Sequence, residues 1–73
     1  MFQIYTVPNC TWCDKAKKLA EELGYEIEEL DFYAPSMWEW EELTGKVPST
    51  APQILVDGEY IGGCSDFIEW TET

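Results

Sequence analysis

The sequence predicts an α/β fold with elements in the order β-α-β-α-β-β-α. Three observations predict it: an alternating apolar segment opens the chain, a helical pattern follows directly, and a near-continuous apolar segment at 53–56 precedes an Asp-Gly pair. A four-stranded mixed sheet flanked by three helices satisfies this order. The 73 residues leave room for a single domain, which we expect to span residues 1–73.

The first half of the chain is expected to form strand, helix and strand. Phe2–Val7 alternates apolar and polar residues, and Thr11–Leu23 has helical periodicity with Gly24 as its C-terminal signal. Tyr25–Leu30 alternates again, so it should pair in parallel with the first strand. The apolar face of the helix is expected to comprise Trp12, Ala16, Leu19, Ala20 and Leu23.

A second helix is signalled at both of its ends. Ser36 and Glu39 have the spacing of a capping box, in which each side chain accepts from the other residue's backbone N–H. Gly45 marks the C-terminal end, and Trp38 lies off the apolar stripe. That stripe is expected to comprise Met37, Trp40 and either Leu43 or Thr44.

The last third predicts a hairpin and a short helix. Gln53–Val56 is continuously apolar after its first residue, which is typical of a central strand. Asp57-Gly58 is a strong turn signal into a final strand, Glu59–Ile61, which two glycines end. Ser65 is then expected to cap a helix over Asp66–Thr71.

Cys10 and Cys13 form a Cys-x-x-Cys motif where the first strand gives way to the first helix. The first turn of a helix stabilises a thiolate through unpaired N–H groups and the helix dipole, and thiols there have pKa values of roughly 3.5–7.5. Lys15, Lys17 and Lys18 should also favour the thiolate. The motif predicts thiol–disulfide exchange in which Cys10 attacks and Cys13 resolves the mixed disulfide.

Two other interpretations of this motif are weaker. A zinc site usually needs four Cys or His ligands, whereas the chain has no His and one further cysteine, Cys64. A purely structural disulfide is disfavoured by the odd cysteine count and by the lack of a recognisable secretory signal. We therefore expect no metal at this site.

The composition is strongly acidic, with 15 Asp and Glu residues against four Lys and a net charge of −11. A basic patch for nucleic acid is not expected, and no apolar stretch approaches the 18 residues of a membrane span. The acidic surface favours solubility and could also select a basic partner protein. With no targeting segment recognised, we expect the cytoplasm, a reducing compartment.

The chain resembles a glutaredoxin, a member of the thioredoxin-like superfamily, over nearly its whole length. The resemblance rests on the Cys-x-x-Cys motif, Thr44-Gly45, Ser49–Gln53 and Gly62–Asp66, which occur in the family's order. The family implies a minimal thioredoxin-like fold and a glutathione-dependent disulfide oxidoreductase. Its substrates would be protein disulfides or glutathione mixed disulfides.

The resemblance also implies roles for residues outside the motif. Pro52 would be a cis-proline facing the cysteines, and the backbone of Ala51 would pair with the cysteine of glutathione, as in strand addition. Trp12 would flank the bound peptide or simply pack. The γ-glutamyl end would be received by helix N–H groups and by the Asp66 carboxylate, at the segment Gly63, Cys64, Ser65 and Asp66.

Two positions depart from the family pattern. Glutaredoxins commonly carry a Lys before the first cysteine and an Arg or Gln on the second helix, and both hold the glycine carboxylate of glutathione. Here these stretches are Val7-Pro8-Asn9 and Trp38-Glu39-Trp40-Glu41. Hydrogen bonds to charged groups contribute roughly 1.5–3 kcal/mol each, so we expect weaker glutathione binding unless Lys15, Lys17 or Lys18 substitutes.

The resemblance leaves three functions open. Glutathione would be the cosubstrate of the first, with ribonucleotide reductase as a possible client and the protein acting as a monomer. The second is a glutaredoxin-like electron donor that thioredoxin reductase recycles. The third is an iron–sulfur carrier using Cys10 and glutathione, which the Thr11-Trp12 pair disfavours because carriers usually have a small residue or Gly there.

Overall fold

A computed structural model describes residues 1–72 and confirms the predicted order of elements. The strands are β1 (Phe2–Thr6), β2 (Ile27–Asp31), β3 (Gln53–Val56) and β4 (Glu59–Gly62), and the helices are α1 (Thr11–Glu22), α2 (Met37–Thr44) and α3 (Cys64–Glu72). The predicted final residue of the third helix, Thr71, is one short of the observed end. Within residues 1–72, no helix combines the length and apolar character needed to cross a membrane.

The four strands form one mixed sheet in the order β2-β1-β3-β4. β1 pairs with β2 in parallel, as predicted, and β3 pairs antiparallel with both β1 and β4. Because β1 and β3 run in opposite directions, the C-terminal end of β1 and the N-terminal end of β3 lie side by side. The segment 7–13, which follows β1, therefore lies close to the segment 50–53, which leads into β3.

The core lies between the sheet and one helical layer. Phe2 and Ile4 alternate on one face of β1, and Ile54 and Val56 do the same on β3. Burying a large apolar side chain of this kind stabilises the fold by roughly 1.5–3 kcal/mol. Helices α1 and α3 complete the cluster with Ala16, Ala20, Cys64 and Phe67.

Helix α2 packs on the opposite face of the sheet through Trp40. Trp40 is 4% exposed, and its ring centroid lies 4.8 Å from that of Tyr5 and 5.4 Å from that of Phe32. The predicted capping box is present, with Ser36 Oγ accepting from Glu39 N at 3.2 Å. The helix ends, as predicted, at Gly45, whose φ of 84° is a left-handed conformation that favours glycine.

The helical faces were predicted only in part. Ala16 and Ala20 are buried, but Trp12 and Leu23, at the two ends of the predicted α1 stripe, are about half exposed. On α2, Met37 is 69% exposed although it lies on the predicted apolar stripe. Periodicity identifies one face of a helix, whereas the sheet beneath covers only the middle turns, so residues in the end turns project beyond it.

The start of α3 differs from the prediction. Ser65 is not the cap, because α3 begins at Cys64 and the Gly63 carbonyl already accepts from Phe67 N at 3.0 Å. Glycine has no side chain to accept from the first-turn N–H groups, and the Asp66 carboxylate instead accepts from Gly63 N at 3.0 Å, which is the reciprocal half of a capping box. The predicted helix was therefore two residues too short at this end.

Strand boundaries shift by one or two residues. β1 ends at Thr6 instead of Val7, β2 begins two residues later than predicted, and β4 extends to Gly62. The hairpin turn is confirmed, since Asp57 and Gly58 have φ values of 51° and 83°, as a two-residue type I′ turn requires.

Candidate active site

Cys10 is the N-cap residue of α1. Its backbone is extended (φ −102°, ψ 103°), and the residue before it, Asn9, turns the chain with a φ of 57°. Cys10 Sγ accepts from Cys13 N at 3.1 Å, so the sulfur occupies the position that a capping oxygen has in other helices. A developing thiolate there receives an N–H group and the positive end of the helix dipole.

Cys10 and Cys13 are joined by a disulfide, with their Cα atoms 5.2 Å apart. Cys10 is partly exposed at the end of the helix, whereas Cys13 is 1% exposed beneath it. An incoming sulfur can therefore reach Cys10, whereas Cys13 is buried next to Cys10. This asymmetry fits the predicted division between an attacking and a resolving cysteine.

Lys17 of α1 is paired with two carboxylates. Lys17 Nζ lies 3.1 Å from Glu29 Oε2 and 3.5 Å from Asp14 Oδ1. The hydrogen bond to Glu29 raises the pKa of Lys17, and hydrogen bonds from Thr6 and then Lys17 lower the pKa of Glu29. Lys17 thus links α1 to the middle of β2, and its charge is shared with two carboxylates.

A groove with a volume of about 290 Å³ contains all seven predicted glutathione-binding residues. Four further residues line it that the sequence did not single out for binding. The predicted residues are Trp12, Ala51, Pro52, Gly63, Cys64, Ser65 and Asp66. The additional ones are Lys46, Thr50, Gln53 and Tyr60.

One wall of the groove is the segment that enters β3. The Ala51–Pro52 peptide bond is cis, as the resemblance implied, and Pro52 is buried. Gln53 is 4% exposed, and its Nε2 donates to the Thr50 carbonyl at 2.7 Å. Tyr60 Oη donates in turn to Gln53 Oε1 at 2.5 Å. These two hydrogen bonds hold the Thr50 backbone next to β4.

The Tyr60 hydroxyl keeps its proton at neutral pH. Burial raises its pKa, and the negative charge of Asp66 raises it further. The hydroxyl therefore remains a donor to Gln53 throughout the physiological range.

The opposite wall is the first turn of α3. Ser65 and Asp66 are exposed there, and the backbone N–H groups of a first turn have no intrahelical acceptor. A Cβ added at Gly62 would lie within 3 Å of three Asp66 side-chain atoms, so Gly62 is needed for the Asp66 carboxylate to fold back over Gly63. The N–H groups can bind the carboxylate of a ligand and Asp66 can bind its ammonium, so this wall suits a ligand that carries both groups of an amino acid.

Cys64 lies in this wall, in surroundings that disfavour its thiolate. The side chain is 4% exposed, and burial raises the pKa of its thiol, although the charge of Lys15 opposes the shift. Cys64 fits the prediction of a small buried residue. Across residues 1–72, no group of three or more His, Cys, Asp or Glu residues is arranged to hold a metal ion.

The residues that sequence reasoning missed lack a local pattern. Tyr60 and Gln53 look like ordinary strand residues, and their hydrogen bond forms only after β3 and β4 pair. Lys46 reaches the groove because Gly45 redirects the chain at the end of α2. The Thr44-Gly45-Lys46 sequence was a possible signal, since a glycine that ends a helix places the next side chain in a new direction.

Comparison with known proteins agrees with this geometry. The Glutaredoxin family model matches residues 2–61. The chain belongs to the glutaredoxin family. Glutaredoxin 1 of Salmonella typhimurium is 38% identical over 94% of this chain and 87% of its own length. The glutaredoxin of Haemophilus influenzae is 39% identical over 88% of this chain and 82% of its own.

Solved glutaredoxin structures are similar as well. Oxidised Escherichia coli glutaredoxin aligns with a TM-score of 0.80 and 32% identity, and the alignment covers 97% of this chain and 92% of the E. coli chain. A buckwheat glutaredoxin–glutathione complex has a TM-score of 0.76 over 97% of this chain and 67% of its own, and at 24% identity it supports the fold alone. Family membership and the Cys10–Cys13 disulfide together support thiol–disulfide oxidoreductase activity.

Proposed function

We propose that this glutaredoxin is a glutathione-linked oxidoreductase that reduces protein disulfides and glutathione mixed disulfides. The observation that carries the proposal is the position of Cys10. Its partly exposed sulfur caps α1, near a groove that contains every residue expected to hold glutathione.

In the first step, the thiolate of Cys10 attacks the glutathione sulfur of a mixed disulfide. A bond forms between Cys10 and glutathione, the original disulfide bond breaks, and the client thiolate leaves and takes a proton from solvent. The N–H of Cys13 and the dipole of α1 stabilise Cys10 before attack. No change in total oxidation state occurs, because one disulfide replaces another.

The second step has two routes. A second glutathione thiolate can attack the glutathione sulfur, which releases oxidised glutathione and regenerates the Cys10 thiolate. Alternatively, Cys13 attacks the sulfur of Cys10, which releases reduced glutathione and closes the Cys10–Cys13 disulfide. Two glutathione molecules then reduce that disulfide. Protein disulfides require Cys13, because the mixed disulfide with the client must be resolved internally.

Glutathione binding is assigned to both walls of the groove. The Ala51 backbone, set by the cis bond to Pro52, pairs with the cysteine of glutathione in the manner of an added strand. The first-turn N–H groups and the Asp66 carboxylate meet the carboxylate and ammonium of the γ-glutamyl end. Trp12, 56% exposed, flanks the peptide on the Cys10 side.

The oligomeric state, the compartment, the client proteins and the recycling system are proposals as well. We expect a monomer in a reducing, cytoplasmic compartment, with disulfide-bearing proteins such as ribonucleotide reductase as clients. A second recycling system, thioredoxin reductase, is favoured by one observation: the family's usual anchors for the glycine carboxylate are missing, since no Lys lies in Val7-Pro8-Asn9 before Cys10 and no Arg or Gln lies on α2.

The deciding experiment couples reduction of a small mixed disulfide to NADPH oxidation in two parallel systems. One contains glutathione and glutathione reductase, and the other contains thioredoxin reductase alone. Turnover with glutathione is the expected result. Turnover confined to thioredoxin reductase would overturn the glutathione link and leave the oxidoreductase chemistry intact.

A further inference from the structure

The loop before α2 and the start of that helix carry the most exposed large apolar side chains of residues 1–72. Trp38 is 78% exposed, Tyr33 73% and Met37 69%, and all three lie within the segment 33–38. Helix α2 packs on the sheet through Trp40, so these three side chains project into solvent. Clustered exposed apolar side chains, Trp, Tyr and Met above all, are typical of surfaces that bind other proteins.

Carboxylates lie among these side chains on the outer side of the helix. Residues three and four apart are neighbours on a helix, so Glu41 and Glu42 flank Trp38, and Glu41 also lies next to Met37. Both glutamates are exposed, and within residues 1–72 neither has an ion-pair partner. We refer to Tyr33, Met37, Trp38, Glu41 and Glu42 together as the α2 surface.

The charge of the α2 surface decides which macromolecule can cover it. A second copy of the chain would bring like charges against Glu41 and Glu42, and a net charge of −11 repels nucleic acid and anionic membranes as well. A basic protein segment has the complementary charge. An Arg guanidinium can stack on the Trp38 ring and pair with a flanking carboxylate, while an apolar side chain packs on Met37.

The α2 surface is separate from the groove beside Cys10. None of its five residues lines the groove, and α2 packs on the other face of the sheet from α1 and α3. Contacts on this surface would therefore add affinity for a protein partner without changing how a small disulfide is bound.

We propose that the α2 surface is a docking site for a basic segment of a partner protein, one that contains both Arg and large apolar side chains. Trp38 is the central contact of the site, and the carboxylates of Glu41 and Glu42 select for cations. The inference goes beyond the proposed function and does not depend on it, because no glutathione contact is involved.

The test is an NMR titration of the isotope-labelled protein with a short, amidated, Trp-free peptide of alternating Arg and Leu. The chain has four Trp residues, whose indole N–H signals report on separate places, and Trp38→Phe assigns the signal of Trp38. That signal should shift until it saturates, whereas the signal of Trp12, which lines the groove, should stay in place. A peptide of alternating Arg and Ser should bind at least about tenfold more weakly, because it lacks the apolar contacts.

Substitutions on the α2 surface should weaken binding of the Arg-Leu peptide about tenfold. Trp38→Ala removes the aromatic ring, and Glu41→Gln with Glu42→Gln removes the two flanking charges. The matched control is Glu21→Gln with Glu22→Gln, a pair of neighbouring exposed glutamates on α1 whose removal changes the net charge equally. The control should change the affinity less than about twofold, because distant exposed charges are screened.

Three results of the titration would overturn the inference: no shift of the Trp38 signal, equal binding of the Arg-Ser and Arg-Leu peptides, or equal losses in the control and the Glu41–Glu42 variant. A dimer of the parent protein that Trp38→Ala dissociates, seen by sedimentation, would also overturn it, since the surface would then bind a second copy. All variants should reduce a glutathione mixed disulfide as the parent does. Failure of the parent protein in that assay would count against the proposed function and leave the titration unaffected.

Discussion

Cys10 and Cys64 both lie at the start of a helix, one just before α1 and the other at the first position of α3. Cys10 is partly exposed, and its sulfur accepts an N–H from the helix that it caps. Cys64 is 4% exposed and packs in the core, and burial raises the pKa of its thiol. Both cysteines lie near the positive end of a helix, but the surroundings of Cys10 favour its thiolate and those of Cys64 disfavour it.

The difference shows that the start of a helix does not activate a thiol by itself. At the N-cap of α1, the sulfur takes the hydrogen bond that an oxygen would normally take. At α3, the Asp66 carboxylate already accepts from the N-cap amide, and Cys64 is turned into the core. The N-terminal end of α1 can therefore stabilise a reacting sulfur, and that of α3 can bind a ligand.

The largest expected effect separates the cysteines of the motif. Cys10→Ser should reduce all disulfide reductase activity by at least about a thousandfold, since it removes the attacking group. Cys13→Ser should abolish reduction of protein disulfides but keep activity on glutathione mixed disulfides, because a second glutathione can replace the resolving cysteine. NADPH-coupled assays with the two substrate types measure this split. Activity retained by Cys10→Ser would contradict the assignment of the nucleophile.

The second prediction concerns the ligand role of the α3 start. Asp66→Asn keeps an acceptor for Gly63 N but loses the negative charge, so the KM for glutathione should rise about tenfold, equivalent to about 1.4 kcal/mol, with little change in stability. Asp66→Ala loses the hydrogen bond too, and should also lower the free energy of unfolding by about 1 kcal/mol. Kinetics and urea unfolding check both effects. Equal KM values for Asp66→Asn and the parent would remove Asp66 from the binding site.

A smaller effect is expected from the hydroxyl that supports the other wall of the groove. Tyr60→Phe leaves the buried Gln53 Oε1 without its donor, which should lower the free energy of unfolding by about 1–2 kcal/mol. The Thr50–Ala51 backbone should also be held less tightly, so we expect the KM for glutathione to rise about threefold, or about 0.6 kcal/mol, with kcat unchanged.

Tyr33→Phe is the matched control for that prediction. Tyr33 is 73% exposed, and its ring contact with Phe32 survives the change, so neither stability nor KM should move. If Tyr60→Phe behaves like Tyr33→Phe in both measurements, the Tyr60–Gln53–Thr50 hydrogen bonds do not position the groove.

The smallest effect distinguishes two exposed tryptophans. Trp12 lines the groove and Trp38 does not, although both are more than half exposed. Trp12→Ala should raise the KM for glutathione about threefold, about 0.6 kcal/mol, whereas Trp38→Ala should leave it unchanged. Steady-state kinetics at fixed disulfide concentration measure both. Equal effects of the two substitutions would show that Trp12 is only a surface residue.

Much of the fold could be predicted because its signals are local. The capping box at Ser36 and Glu39 and the Asp57-Gly58 turn depend on neighbouring residues, and both are present. The start of α3 could not be predicted in this way. Ser65 is a good cap by residue type, but Gly63 precedes α3 and Asp66 folds back over it, an arrangement that Gly62 leaves room for.

In the candidate site, too, the residues within local motifs could be predicted, and those placed by the tertiary structure could not. The family motifs predicted residues on both walls, and the seven residues predicted to bind glutathione all line one groove. Lys46 and Tyr60 were missed because their places depend on where α2 ends and on how β3 and β4 pair. Lys15, Lys17 and Lys18 were expected from sequence distance to favour the thiolate, and this stays a prediction; in the structure, Lys17 is paired with carboxylates and Lys15 lies over Trp12.

The most direct test of the contrast between Cys10 and Cys64 is alkylation of the reduced native protein by iodoacetamide across a pH series, with each cysteine quantified by peptide mass spectrometry. Cys10 should react with a midpoint below the ordinary thiol value near 8.5, because its thiolate is stabilised at the start of α1. Cys64 should react only above that value or after unfolding, because burial raises its pKa. Alkylation of Cys64 in the folded protein at the same pH as Cys10, or at a lower pH, would contradict the account.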